Sequence, residues 1–166
     1  MASHEVRVRY ARIIAGAALA FVPGLVSAQA LEPIVYTVRA PQPVTHVARV
    51  EATVPTARRD SVDLMMAVWS PGYYRVEHYE SRVRSFAAHA PDGAALRVMQ
   101  PAPNRWRIYT AGSAQVVIAY EVLSQERSVT LNWVDDTLAV LNGAPTYITL
   151  AEQAHRPHEV RLELAG

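Results

Sequence analysis

The stretch Leu64–Tyr74 reads L-M-M-A-V-W-S-P-G-Y-Y. Five apolar residues run into Trp69, the chain breaks at Ser70-Pro71-Gly72, and two tyrosines follow. An apolar run of this length, bounded by a turn, predicts a buried strand from Val62 to Val68. Pro71 has no N–H to give to a sheet ladder and Gly72 readily takes positive φ, so the strand stops and turns there. Trp69, Tyr73 and Tyr74 place a large apolar surface with polar handles around the turn, suited to a sheet edge or a cleft wall. On these residues alone, a core strand followed by a tight turn is the favoured reading.

On either side the chain keeps a period of two. Ile34–Arg39 alternates, with Ile34, Tyr36 and Val38 on one face. Val44–Val54 alternates again, with His46, Ala48, Val50, Ala52 and Val54 together, and Pro55–Asp60 is a polar turn. Val76–Arg82 reads as a short helical turn or irregular loop. Val83–Ala90 is a strand ended by Pro91-Asp92-Gly93. Leu96–Gln100 follows, then a break at Pro101–Asn104, then Arg105–Thr110 and Gln115–Leu123. The last third offers Ser128–Val134, an Asp135-Asp136 pair, an apolar piece to Leu141, and Asn142-Gly143, a favoured hairpin turn. Thr146–Leu150 and Glu159–Leu164 complete the strands. Segments spaced about ten residues apart with turn chemistry between them predict an all-β fold, an antiparallel β-sandwich of about 8–10 strands.

Residues 1–30 have a different character. Arg7, Arg9 and Arg12 precede an apolar run from Ile13 to Val26, and Ser27-Ala28-Gln29-Ala30 supplies small residues at a cleavage site. That order is a secretory signal peptide, cleaved near Ala28 or Ala30, and it implies a periplasmic or secreted protein. The run is too short, and too interrupted by Pro23-Gly24, for an uncleaved span. What remains, residues 31–166, is one domain, large enough to bury a core without the disulfides that a chain with 0 cysteines cannot make. The chain stops at Leu164-Ala165-Gly166 immediately after a strand pattern, as a domain cut from something longer would. All 16 basic residues are arginine, and removing residues 1–30 leaves 13 of them against 14 acids. With no clustered basic face, nucleic acid is not an expected partner.

Catalytic constellations are absent. His155-Arg156-Pro157-His158-Glu159 places two histidines three apart, but Pro157 disfavours the helix that would bring them together, and third and fourth ligands are missing. No serine sits in a G-x-S-x-G elbow and no phosphate loop occurs. Asp135 and Asp136 point to opposite faces if they lie on a strand and can share a site only in a loop. His46, His78 and His89 are isolated.

Three blocks nevertheless stand in register. W-S-P-G-Y-Y (Trp69–Tyr74) with V-E-H-Y (Val76–Tyr79), P-N-R-W-R (Pro103–Arg107), and S-V-T-L-N-W-V-D-D (Ser128–Asp136) with L-N-G-A (Leu141–Ala144) together resemble the N-terminal domain of the glycyl aminopeptidase-type zinc metallopeptidases, in the thermolysin-like gluzincin clan. Tyr73 departs from the serine usual at its position, and Thr130-Leu131 from a more polar pair. The resemblance covers essentially all of residues 31–166. It implies a β-sandwich without a catalytic centre, packed on a downstream catalytic domain of the same polypeptide. Zinc is expected in that domain, with none in this chain, and its metal-activated water would attack a peptide carbonyl. The sandwich would help wall a cleft for the N-termini of peptide substrates. Tyr74, Asn132, Asp135 and Asn142 are the candidates for the cleft-facing edge, because carboxylates and amide oxygens receive an amine best. The competing expectation is a stand-alone module binding peptide or carbohydrate on a platform of Trp69, Tyr73, Tyr74 and Trp106.

Overall fold

A computed structural model describes residues 31–163. The expected signal peptide lies outside the described residues, as does Leu164 of the last expected strand. Eleven strands are present among them: β1 (Ile34–Arg39), β2 (Val47–Pro55), β3 (Ser61–Met65), β4 (Val83–His89), β5 (Val98–Ala102), β6 (Arg105–Tyr109), β7 (Gln115–Leu123), β8 (Trp133–Val134), β9 (Ala139–Val140), β10 (Thr149–Leu150) and β11 (His158–Glu163). A one-turn helix α1 (Gly143–Thr146) and 3-10 turns at Pro43–Thr45 and Tyr79–Arg82 interrupt them. Strand order is β11-β1-β2-β7-β4 in one sheet and β10-β3-β6-β5 in the other, with β8-β9 as a separate hairpin. The fold is all-β, as the alternation predicts.

Period two places the core. In β7 every second residue is buried (Val116, Ile118, Tyr120, Val122), and these meet Ile34, Tyr36 and Val38 of β1, Val50 and Val54 of β2, Leu64 of β3 and Ile108 of β6 in one cluster. Phe86 of β4 stacks on Trp106 of β6 at 5.2 Å and on Tyr120 at 6.1 Å, tying the two sheets across the sandwich. The outward positions carry charge. Asp63 and Arg107, directly opposite on β3 and β6, make two 2.7 Å hydrogen bonds, and Arg49 pairs with Glu121 across β2 and β7.

Several elements depart from the sequence expectations, each for a local reason. The apolar strand stops at Met65 rather than Val68. Asn104 takes the backbone of Met66 at both ends (Met66 N–H to Asn104 O, Asn104 Nδ2 to Met66 O, each 3.0 Å), and the chain then leaves the sheet. Val44–His46 is not strand: Pro43 starts a 3-10 turn that His46 closes in the left-handed conformation, φ 56°. Strand β5 continues through Pro101 to Ala102, tolerated because β5 is an edge and the Met99–Ala102 register is irregular. Asn142-Gly143 is not a hairpin turn. Asn142 is extended and leads into α1, because Asn132 Oδ1 accepts its N–H and Thr146 Oγ1 donates to its carbonyl. Strand β11 runs parallel to β1, so the first sheet is mixed rather than wholly antiparallel. Buried Arg156 sets that return: its guanidinium donates to the Glu32 carbonyl and to Gln153 Oε1, and Ile34 N–H then bonds Pro157 O.

Candidate functional site

The W-S-P-G-Y-Y loop is built on one turn. Ser70 O accepts from Tyr73 N–H at 3.1 Å, with Pro71 and Gly72 (φ 85°) in the two central positions that suit each of them. Glu77 N–H closes the loop onto Val68 O at 2.7 Å, and Ser70 Oγ bonds the hydroxyl of Tyr79, a residue with no exposed surface. The base is thus fixed and the tip is free of the core. Trp69 is 49% exposed, Tyr74 95% and Val76 64%, and with Arg75 they line an open hollow of about 290 Å³. Arg75 lies 5.4 Å over the Tyr73 ring and 3.0 Å from Glu77.

The block Ser128–Ala144 comes to the same neighbourhood through the 3-10 turn Tyr79–Arg82. Helix α1 packs on that turn, and Arg82 pairs with Glu126 at 2.8 Å. Asn132 is the hub: buried, it donates Nδ2 to Thr146 Oγ1 (2.9 Å) and accepts Asn142 N–H at Oδ1 (2.8 Å), while Asn142 Nδ2 donates to Leu131 O. Asp135 is the second hub and organises the β8–β9 turn. Its carboxylate accepts Thr137 Oγ1 (2.8 Å), Thr137 N–H (2.9 Å), Trp133 Nε1 (2.8 Å) and Leu138 N–H (2.7 Å), with Arg127 at 3.4 Å. The Thr137 hydroxyl and amide, then the Trp133 indole, hold the acid well below the ordinary carboxylate range. Arg127 also stacks on Trp133 at 4.3 Å over a hollow of about 180 Å³ walled by Leu131, Leu138 and Val140.

Three of the four residues chosen from sequence therefore fall in one compact segment, and Tyr74 stands on the adjoining loop. Tyr74 alone presents its side chain freely to solvent. Asn132 and Asn142 hold loops in shape, and Asp135 already accepts four close hydrogen bonds from its own turn. The hydrogen bonds of these three residues fix the outline of their own segment. Trp106, expected in an aromatic platform, is 3% exposed and stacked on Phe86, so it cannot share a surface with Trp69 and Tyr74. His158 lies in β11, with Nε2 3.0 Å from Thr149 Oγ1 and its ring edge-on to Tyr36 at 5.1 Å; burial pushes the imidazole down. Among the described residues no three histidine or acidic side chains converge to hold a metal, and no helix is long and apolar enough to cross a membrane.

A second uncovered surface lies on β11. In a parallel pair, residues in register share a face, so Val160 and Leu162 point the same way as Tyr36 and Val38, their partners on β1. Tyr36 and Val38 are fully buried; Val160 is 42% and Leu162 56% exposed. The core-side face of the sheet thus continues one strand beyond its cover.

The model of one protein family, described as the Peptidase M61 N-terminal domain, matches residues 35–166. The fold is similar to that in a crystal structure of an aminopeptidase N family protein from Idiomarina loihiensis. That likeness has a TM-score of 0.73 at 22% identity, over 79% of this chain and 22% of that one. The chain thus spans about a fifth of the length of the solved structure it matches. No curated protein matches it in sequence.

Proposed function

The chain belongs to the peptidase M61 N-terminal domain family, and on that premise we propose that it is the non-catalytic β domain of an exported zinc aminopeptidase. It packs on a downstream thermolysin-like catalytic domain and helps wall the cleft that receives substrate N-termini. The observation that carries the packing reading is the bare inner face of β11. Apolar side chains on the core side of a sheet are normally covered by a second layer, and Val160 and Leu162 have none among the described residues. A domain following β11 is well placed to supply it. The zinc belongs to that domain, and the export signal to residues 1–30.

Under this reading the exposed loop Trp69–Val76 is the part of the sandwich that meets the peptide. Tyr74 offers a ring and a hydroxyl to an incoming chain, while Asn132, Asn142 and Asp135 hold the neighbouring segment. The test is a comparison of residues 31–166 alone with the longer polypeptide read from the gene. In the longer protein the β11 amides should exchange more slowly, and Val160→Asp with Leu162→Asp should lower peptidase activity while the sandwich stays folded. A reading frame that ends at Gly166, or β11 amides equally exposed in both proteins, overturns the proposal.

A stand-alone binding module is the second reading, favoured by the hollow between Trp69 and Tyr74. Without Trp106 its platform shrinks to the exposed rings of Trp69 and Tyr74 and the half-buried Tyr73, which Arg75 overlies. Saturable quenching of Trp69 fluorescence by a short peptide or oligosaccharide, in the isolated chain, would support it.

A further inference from the structure

The 3-10 turn Tyr79–Arg82 and the edge strand β5 flank an open hollow of about 570 Å³, walled by Glu80 and Ser81 on one side and Gln100–Pro103 on the other. The Glu80 side chain is only 9% exposed, and its Oε2 is closed off from solvent with no donor among the described residues. A buried carboxylate oxygen without a hydrogen bond is costly, since desolvation is not offset. Its Oε1 lies 3.1 Å from His78 Nδ1.

Elsewhere in the hollow the side-chain donors are largely engaged. Pro101 and Pro103 have no N–H. Ser81 Oγ–H is engaged with His78 O at 2.6 Å, and one Gln100 amide hydrogen with Pro103 O at 2.8 Å. The hollow is therefore walled by few free side-chain donors and by a carboxylate short of one donor. The terminal torsion of a glutamate is soft, so Oε2 can turn toward the opening at little cost, and the His78 ring beside it is 81% exposed and free to yield.

We propose that this hollow is a binding site for a cationic nitrogen group of a peptide, an ammonium or a guanidinium, received by Glu80 with the Gln100 and Pro101 oxygens around it. Such a group brings several N–H donors and the charge a carboxylate pairs with most strongly. The site stands on the chain's own residues and does not depend on a catalytic partner.

Three probes separate the sources of that cation in ¹H–¹⁵N titrations of the chain. N-acetyl-arginine amide has a charged side chain and a blocked terminus, glycinamide has only a free amine, and N-acetyl-citrulline amide has the arginine shape without charge. The expected result is saturable shifts of the Ser81, Gln100 and Ala102 amides with one or both cations, with millimolar dissociation constants of the order that a single exposed contact supports. Citrulline should produce none. Glu80→Gln, which keeps the shape, should weaken binding by about tenfold or more, and Glu80→Asp by less. Equal shifts with citrulline and arginine, undiminished binding by Glu80→Gln, or no saturable response to either cation overturns the site.

Discussion

From Gln115 to Leu123 burial alternates residue by residue, and β7 is paired along its length with β2. From Gln125 to Tyr147, the next stretch of the same chain, only four residues are strand, and order comes from side chains: Asn132 joins Asn142 and Thr146, Asn142 reaches back to Leu131, and Asp135 gathers Trp133, Thr137 and Leu138. One region is held by a backbone ladder over an apolar face, the other by two polar hubs. Tyrosines of the sheet that contains β7 join them: Tyr120 OH donates to Thr146 O (2.8 Å) and accepts Ile148 N–H (3.1 Å), while Tyr36 OH of β1 donates to Ile148 O (2.9 Å). Burial drives both hydroxyls' pKa upward, so they stay protonated donors. A ladder spreads its load over many equivalent contacts. A hub concentrates it in one side chain, and that difference can be tested.

The most widespread effect should come from the ladder's apolar face. Ile118→Ala removes a fully buried side chain and should cost about 2–5 kcal/mol. Because Ile118 sits in the shared core, hydrogen exchange should quicken across both sheets together. If only β7 loosens, the sandwich is not one cooperative unit.

Tyr120→Phe tests the junction. It strands a buried carbonyl and a buried amide at once, each worth about 1–3 kcal/mol when left without a partner. Exchange should quicken at Ile148 and through α1, with β2 and β7 little changed. Asn132→Ala should act more locally still, by about 1–3 kcal/mol from the Asn142 amide it orphans. Protection should be lost across Asn142–Tyr147 while the ladder holds. Equal loosening of both regions by Asn132→Ala would erase the distinction between them.

The same contrast explains what could be read from the sequence. Strands β1, most of β2, and β7 show their alternation directly, because a half-buried ladder writes period two into the chain. Trp106 could have been placed by the same rule: it shares a face with buried Ile108, and Arg105 and Arg107 take the other. Strand direction leaves no such mark, since alternation is identical in both senses, and the parallel sense of β11 was therefore invisible. The hubs leave none either. Asn142-Gly143 carries hairpin chemistry in isolation, and only the distant Asn132 and Thr146 turn it into a helix start. Asp135 is legible as a turn residue, but the indole and the threonine that saturate it are not. Glu80 gives no sequence signal, because its orphaned oxygen follows from what β5 places beside it.

The smallest effect, and the most diagnostic, should come from pH at Asp135. Its folded-state pKa lies below that of the unfolded chain, chiefly through the Thr137 hydroxyl and amide and then the Trp133 indole. The unfolded chain therefore takes up the proton first as pH falls. The stabilisation is complete above the ordinary carboxylate pKa of about 4 and is lost as pH drops through the lower folded value. Within that acid window the β8–β9 turn should loosen ahead of the ladder, read from the Trp133 indole resonance and the Leu138 amide. Asp135→Asn should bring the loosened turn to neutral pH, because the amide loses the charge that several donors converge on, and its turn should then ignore acid. A Trp133 indole signal that stays fixed from pH 7 into the acid range, or an Asp135→Asn turn as well protected as the wild type, would mean that the backbone rather than the carboxylate holds this hairpin.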